Sequence, residues 1–178
     1  MTTATLPDAD TCCRLLENSF VKVFRTMLRC PVQFSERLQP DRSEDNPFYR
    51  LGAADPLLVG SVGFTGKLEG ALYQYLHGDL GLVLSSLMTQ LPIPEIREEG
   101  EIEIVNDVIG ELTNMTCGTF KNELCDLGWP CMLTLPTVLR GSQMRVNCLK
   151  AATRYTFVFK VAGQPVVTDL FLEPGRED

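Results

Sequence analysis

This 178-residue sequence has a single histidine, a single tryptophan and few cations, its 16 lysines and arginines being outnumbered by 23 aspartates and glutamates. A formal net charge of -7 and a pI near 4.8 argue against a sequence-independent grip on phosphate backbones, which needs clustered Lys and Arg. Nucleic acid is therefore not an expected partner. With one imidazole, any catalytic triad or dyad would depend on His77 alone, and His77 stands where a strand runs into Gly78, which suits a structural role. No apolar run reaches the ~18 residues needed to span a bilayer, so membrane insertion is not expected. The first ten residues carry neither a basic start nor an apolar stretch, and no signal peptide is read there. A phosphate-binding loop is also missing, because Gly60-x-x-Gly63-x-x-Gly66 lies in a strand and hairpin and lacks the Lys-Ser/Thr ending.

Cysteine, by contrast, is present seven times, at positions 12, 13, 30, 117, 125, 131 and 148, an odd number without Cys-x-x-Cys spacing. Metal binding is not expected. Free thiols used as small buried hydrophobes are most easily housed in a reducing cytosol, so the expected location is cytoplasmic. Hydrophobic and charged fractions of 44% and 22% are ordinary for a globular chain, and the length suits one domain over residues 1–178.

Apolar residues at helical spacing predict a helix over Asp10–Arg29, with Asp10 or Thr11 as N-cap and Cys30-Pro31 as its end. Pro31–Leu38 alternates and reads as a strand. Pro40–Pro56 reads as a loop, with a short strand around Phe48–Leu51. Leu57–Thr65 and Ala71–Leu76 read as strands joined by a hairpin over Gly66–Gly70. Leu80–Leu91 is helical and closed by Pro92. The acidic run Glu95–Glu103 reads as the solvated start of a helix, where negative charge is favoured by the dipole. A long helix runs from about Glu101 to Asp126 and ends at the Gly128 turn. Cys131–Leu135 is a strand, Pro136–Gly141 a bounded loop, and Gln143–Lys150, Arg154–Val161 and Val166–Leu172 further strands, the last two joined over Ala162–Pro165. The order is helix, strand, loop, hairpin, helix and then helix, strand, loop, hairpin again, and an offset of 96 residues lays Asn18 over Asn114 and Phe24 over Phe120. The implied pseudo-repeats are 9–91 and 100–172. At that offset Glu111 meets Leu15, so only the second copy holds a complete polar pair.

That pair lies in the stretch Asp107-Val-Ile-Gly-Glu-Leu-Thr-Asn-Met-Thr-Cys-Gly118. On a helix Asp107, Glu111, Asn114, Gly118 and Lys121 follow steps of 4, 3, 4 and 3 and form one outward ridge beside a core stripe of Val105, Val108, Leu112, Met115 and Thr119. A ridge of this kind is either a solvated flank or a docking surface, and periodicity does not choose. A carboxylate and an amide three apart can nevertheless reach into a partner's site together, the one pairing with a cation and the other aiming a water molecule.

The pattern Asp, three residues, Glu, two residues, Asn, followed by Pro136, resembles the signature of the CheC/CheX/FliY family of bacterial chemotaxis phosphatases. The segments Leu135-Pro136-Thr-Val-Leu-Arg-Gly141 and Phe64-Thr-Gly-Lys-Leu-Glu-Gly70 resemble it too, and Leu15 in place of a glutamate points to the CheX type with one active helix. The resemblance implies an α+β fold, with two long helices packed on a largely antiparallel, pseudo-duplicated sheet, and a homodimer joined through sheet edges. It implies a substrate as well, the aspartyl phosphate of a CheY-like receiver domain. Glu111 would pair with the receiver's lysine and Asn114 would orient the attacking water, with Asp107, Gly118 and Lys121 contacting the partner. No cofactor of its own is implied, because the receiver brings Mg²⁺. The alternative is a non-catalytic receiver-binding or flagellar adaptor module. Gly118 has two readings that stay open here, close approach of the partner's backbone and tight packing inside the protein.

Overall fold

The first apolar stripe forms α1 (Ala9–Leu28) in the computed structural model, which describes residues 6–38, 51, 56–142, 144 and 152–175. Leu15, Leu16, Phe20, Val23, Phe24 and Leu28 turn inward together, as the spacing requires. The cap is neither Asp10 nor Thr11 but Asp8. Its carboxylate accepts the Thr11 backbone N–H at 2.7 Å, and this bond holds the Asp8 carboxyl below its usual range. Asp10 instead pairs with Arg37 at 2.8 Å, tying α1 to β1 (Val32–Leu38).

β2 (Leu57–Gly66) and β3 (Leu68–His77) form a tighter hairpin than the sequence suggests, with Lys67 alone between them. The expected loop through Gly70 is strand because Leu68 is buried and Gly70 sits in register with both Phe64 and Leu172. His77 ends β3, where its Nε2 meets the Leu51 carbonyl, and the chain turns into α2 (Gly78–Thr89). The acidic run divides in two. Gly100, at φ 134°, ends the short helix α3 (Ile93–Glu99), and α4 (Glu101–Asp126) starts directly after it.

β4 (Cys131–Leu133) follows α4, and the segment read as a bounded loop is in fact β5 (Thr137–Gly141), which pairs with β2 from Leu57–Gly141 to Ser61–Thr137. Its hydrogen bonds come from a distant strand, which local sequence does not display. β6 (Thr153–Val161) and β7 (Gln164–Pro174) close over Ala162 and Gly163, both at positive φ. The strands expected at Phe48–Leu51 and Gln143–Lys150 fall almost wholly outside the described residues.

All pairings are antiparallel, in the order β1-β6-β7-β3-β2-β4, with β5 on the same edge of β2 as β4. One face of this sheet packs on α1, α2 and α4 through Leu58, Val62, Leu72, Phe157, Phe159 and Leu170. The fold is thus α+β, four helices on one antiparallel sheet among the described residues. The main core is aromatic at its α1 end, where Phe20 stacks on Phe159 at 4.3 Å and on Phe24 at 5.4 Å. The opposite face carries a smaller cluster of Leu57, Val59, Tyr75, Val158 and Val167. There the fully buried Asp169 receives Arg154 through two N–H bonds of 2.8 and 3.2 Å, and the Thr156 hydroxyl at 2.5 Å. No helix among the described residues is long and apolar enough to cross a membrane.

Candidate functional site

α4 is buried over much of its circumference. Val105, Ile109, Leu112, Thr113, Thr116, Phe120 and Leu124 all face protein, whereas the expected core residues Met115 and Thr119 are only half-buried flanks. The core stripe is therefore rotated by about one residue from the one expected, because α1, α2 and the sheet all press on this helix. Its hydroxyls are committed to the helix itself: Thr113 donates to the Ile109 carbonyl at 2.7 Å, Thr116 to Leu112 at 2.7 Å and Thr119 to Met115 at 3.0 Å. Cys117 is also unsuited to nucleophilic work, since burial pushes its thiol up to about 12.

What remains polar and open is the flank toward β4 and β5. Two glycines set the approach on that side. A Cβ built at Gly110 would lie 3.5 Å from Val138 Cγ2, and one built at Gly118 would lie 3.8 Å from Leu133 Cδ1. Asn114 stands midway between them, half-buried, while Asp107 and Glu111 are exposed. The predicted ridge thus exists, but only its first two members face fully outward. Gly118 and Lys121 are half-buried near β4, and Lys121 donates to the Asn122 side chain at 3.2 Å.

The structure brings Asp107 and Glu111 together with Pro136. They line an open groove of about 580 Å³ with Asn106, Gly110 and Val138. Asn114, Gly118 and Lys121 do not line it. Asn106 and Val138 were missed in the sequence; the available signal was the spacing Gly110, Asn114, Gly118, which marks the side where another element comes close. At the groove's end Arg140 of β5 binds Glu101 of α4 at 2.7 Å, and Arg97 lies 3.7 Å from the same carboxylate. This cluster anchors the start of α4 to the sheet edge.

Among the described residues, no side-chain hydrogen bond or ion pair engages Glu111 or Asn114. An unpaired carboxylate and an unpaired amide therefore lie on adjacent turns of a firmly held helix, about 5–6 Å apart at Cβ by helix geometry. Such a pair can bind a cation and hold a water molecule, but it offers neither a nucleophile nor a metal cage.

The fold and this site define a sheet-backed helix with an outward-facing carboxylate and a half-buried amide on its flank. The profile described as "Chemotaxis phosphatase CheX" matches residues 58–160, and the chain belongs to that family. A curated relative, the CheY-P phosphatase CheX of Thermotoga maritima, is 32% identical over 91 residues, a match that spans 51% of this chain and 56% of the relative. The crystal structure of the chemotaxis protein CheX from Desulfovibrio desulfuricans superposes with a TM-score of 0.74 at 17% identity, covering 91% of this chain and 99% of that one. The CheX-CheY-BeF3-Mg complex of Borrelia burgdorferi gives a TM-score of 0.72 at 16% identity, covering 90% and 97%. These structural likenesses carry the fold.

Proposed function

We propose that this protein accelerates hydrolysis of the aspartyl phosphate on a CheY-like receiver domain, with Glu111 pairing with the receiver's lysine and Asn114 orienting the attacking water. The observation that carries the reading is the pair itself, free of partners among the described residues, on a rigid helix and flanked by Pro136. Phosphoryl transfer asks chiefly for positioning and charge stabilisation, so a site without nucleophile, histidine or metal ligands is adequate when the receiver supplies the phosphoryl group and its Mg²⁺. The name of the curated relative and the complex of the Borrelia protein with CheY support the same substrate class.

The test is the decay of a phosphorylated receiver. A substoichiometric amount of this protein clears an excess of it, and Asn114→Ala abolishes the stimulation while leaving unfolding nearly unchanged, as expected for a half-exposed side chain without partners. Undiminished phosphate release by that variant sinks the mechanism. Slowed or unaltered decay with phosphorylation-dependent binding identifies a receiver-binding adaptor instead. The family also implies a homodimer formed through sheet edges, and the β4–β5 edge, with Met132 72% and Leu139 53% exposed, supplies apolar surface for it. Sedimentation of the pure protein reads that state directly.

A further inference from the structure

Under α4 the sheet has a polar notch in an apolar wall. Leu58 and Val62 of β2 and Leu72 and Leu76 of β3 belong to the main core, but between them Gly60 and Gln74 stand opposite each other in register. Thr113 of α4 fills the notch. Thr113 and Gln74 are 0% and 3% exposed, and a Cβ built at Gly60 would lie 2.2 Å from Thr113 Oγ1. The Thr113 hydroxyl gives its one proton to the Ile109 carbonyl at 2.7 Å, and its oxygen lies 3.4 Å from the Gln74 amide oxygen. Gln74 Nε2 is buried without a hydrogen-bond partner among the described residues. An amide so placed costs stability that an apolar side chain of equal length would not. What it adds is direction, because apolar contacts leave the angle of a helix on its sheet loosely set and a hydrogen bond does not.

We infer that Gln74 is a positioning residue, which fixes the rotation of α4 about its own axis through Thr113 and thereby aims Asn114, the next residue. A half-turn of the Gln74 amide about its last bond exchanges its two ends and brings Nε2–H onto the lone pairs of Thr113. The row then runs from the Gln74 N–H to Thr113 Oγ1 and from the Thr113 O–H to the Ile109 carbonyl. The inference rests on the reading that Asn114 orients the attacking water. Side-chain ends lie about 5–6 Å from a helix axis, so a rotation of about 10° displaces them by about 1 Å. A misplacement of that size costs up to about 100-fold in rate. The Glu111 carboxylate, reaching for a lysine on a flexible stem, absorbs it, and a water held for in-line attack does not.

Steady-state kinetics on a phosphorylated receiver test this with Gln74→Met, which keeps the length and removes the amide. Its kcat falls at least about tenfold with KM within about twofold of native, while its denaturant midpoint is native or higher. Thr113→Val lowers kcat in the same way, Thr113→Ser keeps the native value because it keeps the hydroxyl, and the Gln74→Met/Thr113→Val double variant is no slower than the slower single one. A kcat within twofold of native in Gln74→Met, a loss that appears in KM instead, or a Thr113→Ser variant as slow as Thr113→Val overturns the inference. Asn114→Ala in the same assay reports separately on the catalytic reading. If the native protein shows no turnover, that reading falls, and residual dipolar couplings along α4 decide the positioning alone: they depart from native in Gln74→Met and stay native in Thr113→Ser, and native couplings in Gln74→Met refute it.

Discussion

Gly118 separates two explanations that the sequence leaves level, and Gly118→Ala is the perturbation that does so. A glycine inside a helix costs about 0.8–1.0 kcal/mol relative to alanine, so it persists where something requires the missing Cβ. Internal packing does not require it here. The added Cβ would meet Leu133 Cδ1 at 3.8 Å, an ordinary van der Waals contact. The isolated protein should therefore gain about 1 kcal/mol, a rise in Tm of about 2–4 °C for a chain of this size. Binding should move the opposite way. If the receiver's backbone passes over this turn, one extra methyl group overpacks the contact at about 1–3 kcal/mol, which raises KM about 5- to 150-fold. Thermal or denaturant unfolding gives the first quantity and phosphorylated-receiver decay the second. Lower stability in Gly118→Ala refutes the packing geometry, and native kinetics in a stabilised variant refute the close approach.

Other changes probe the frame that holds the site. Asp169→Ala removes the buried carboxylate to which Arg154 and Thr156 both donate and should cost about 3–5 kcal/mol in denaturant unfolding; a loss under 1 kcal/mol would show that the pair is not held as described. Gly60→Ala places a Cβ 2.2 Å from Thr113 Oγ1, which is fastened to the Ile109 carbonyl at 2.7 Å, so α4 must lift from β2 at a cost of about 1–3 kcal/mol. The double variant Gly60→Ala/Thr113→Ala should cost less than the sum of the two single changes. Burial raises the thiols of Cys12 and Cys117 to about 12 and of Cys131 to about 11. Above pH ~9 the unfolded chain releases these protons while the folded chain keeps them, so stability falls as pH climbs from 9 toward 12. Cys117→Ala should flatten that alkaline fall by about 1.4 kcal/mol per pH unit, measured by denaturant midpoints across the range.

Elements whose partners lie along their own length were readable from the chain. α1 and α4 appear within a residue or two of their expected limits because a buried stripe, a proline or a glycine marks each end. β5 was not readable. None of its five residues is buried, and they become a strand only because β2 supplies hydrogen bonds from almost eighty residues upstream. The same tertiary decision governs the site. Periodicity places Glu111 on the outside correctly, since exposure there depends on α4 alone. Whether Asn114 lies fully outside or half inside depends on where β4 and β5 run, so its burial emerges only with the sheet edge in place.

The two halves of the chain show why one helix carries the pair and the other does not. Exchanging β1, β2 and β3 with β4, β6 and β7 maps the strand order onto itself, which supports the proposed pseudo-duplication. Under the 96-residue offset Leu16 falls on Leu112 and Phe24 on Phe120, and all four are buried. The polar positions diverge. Leu15, opposite Glu111, is 1% exposed and belongs to the main core, and Asn18, opposite Asn114, is spent on a 3.4 Å hydrogen bond to Glu123 of α4. A glutamate at position 15 would bury an unpaired charge in an apolar core. The first helix is thus kept for packing, its amide serving to hold α4, while α4 carries the outward pair.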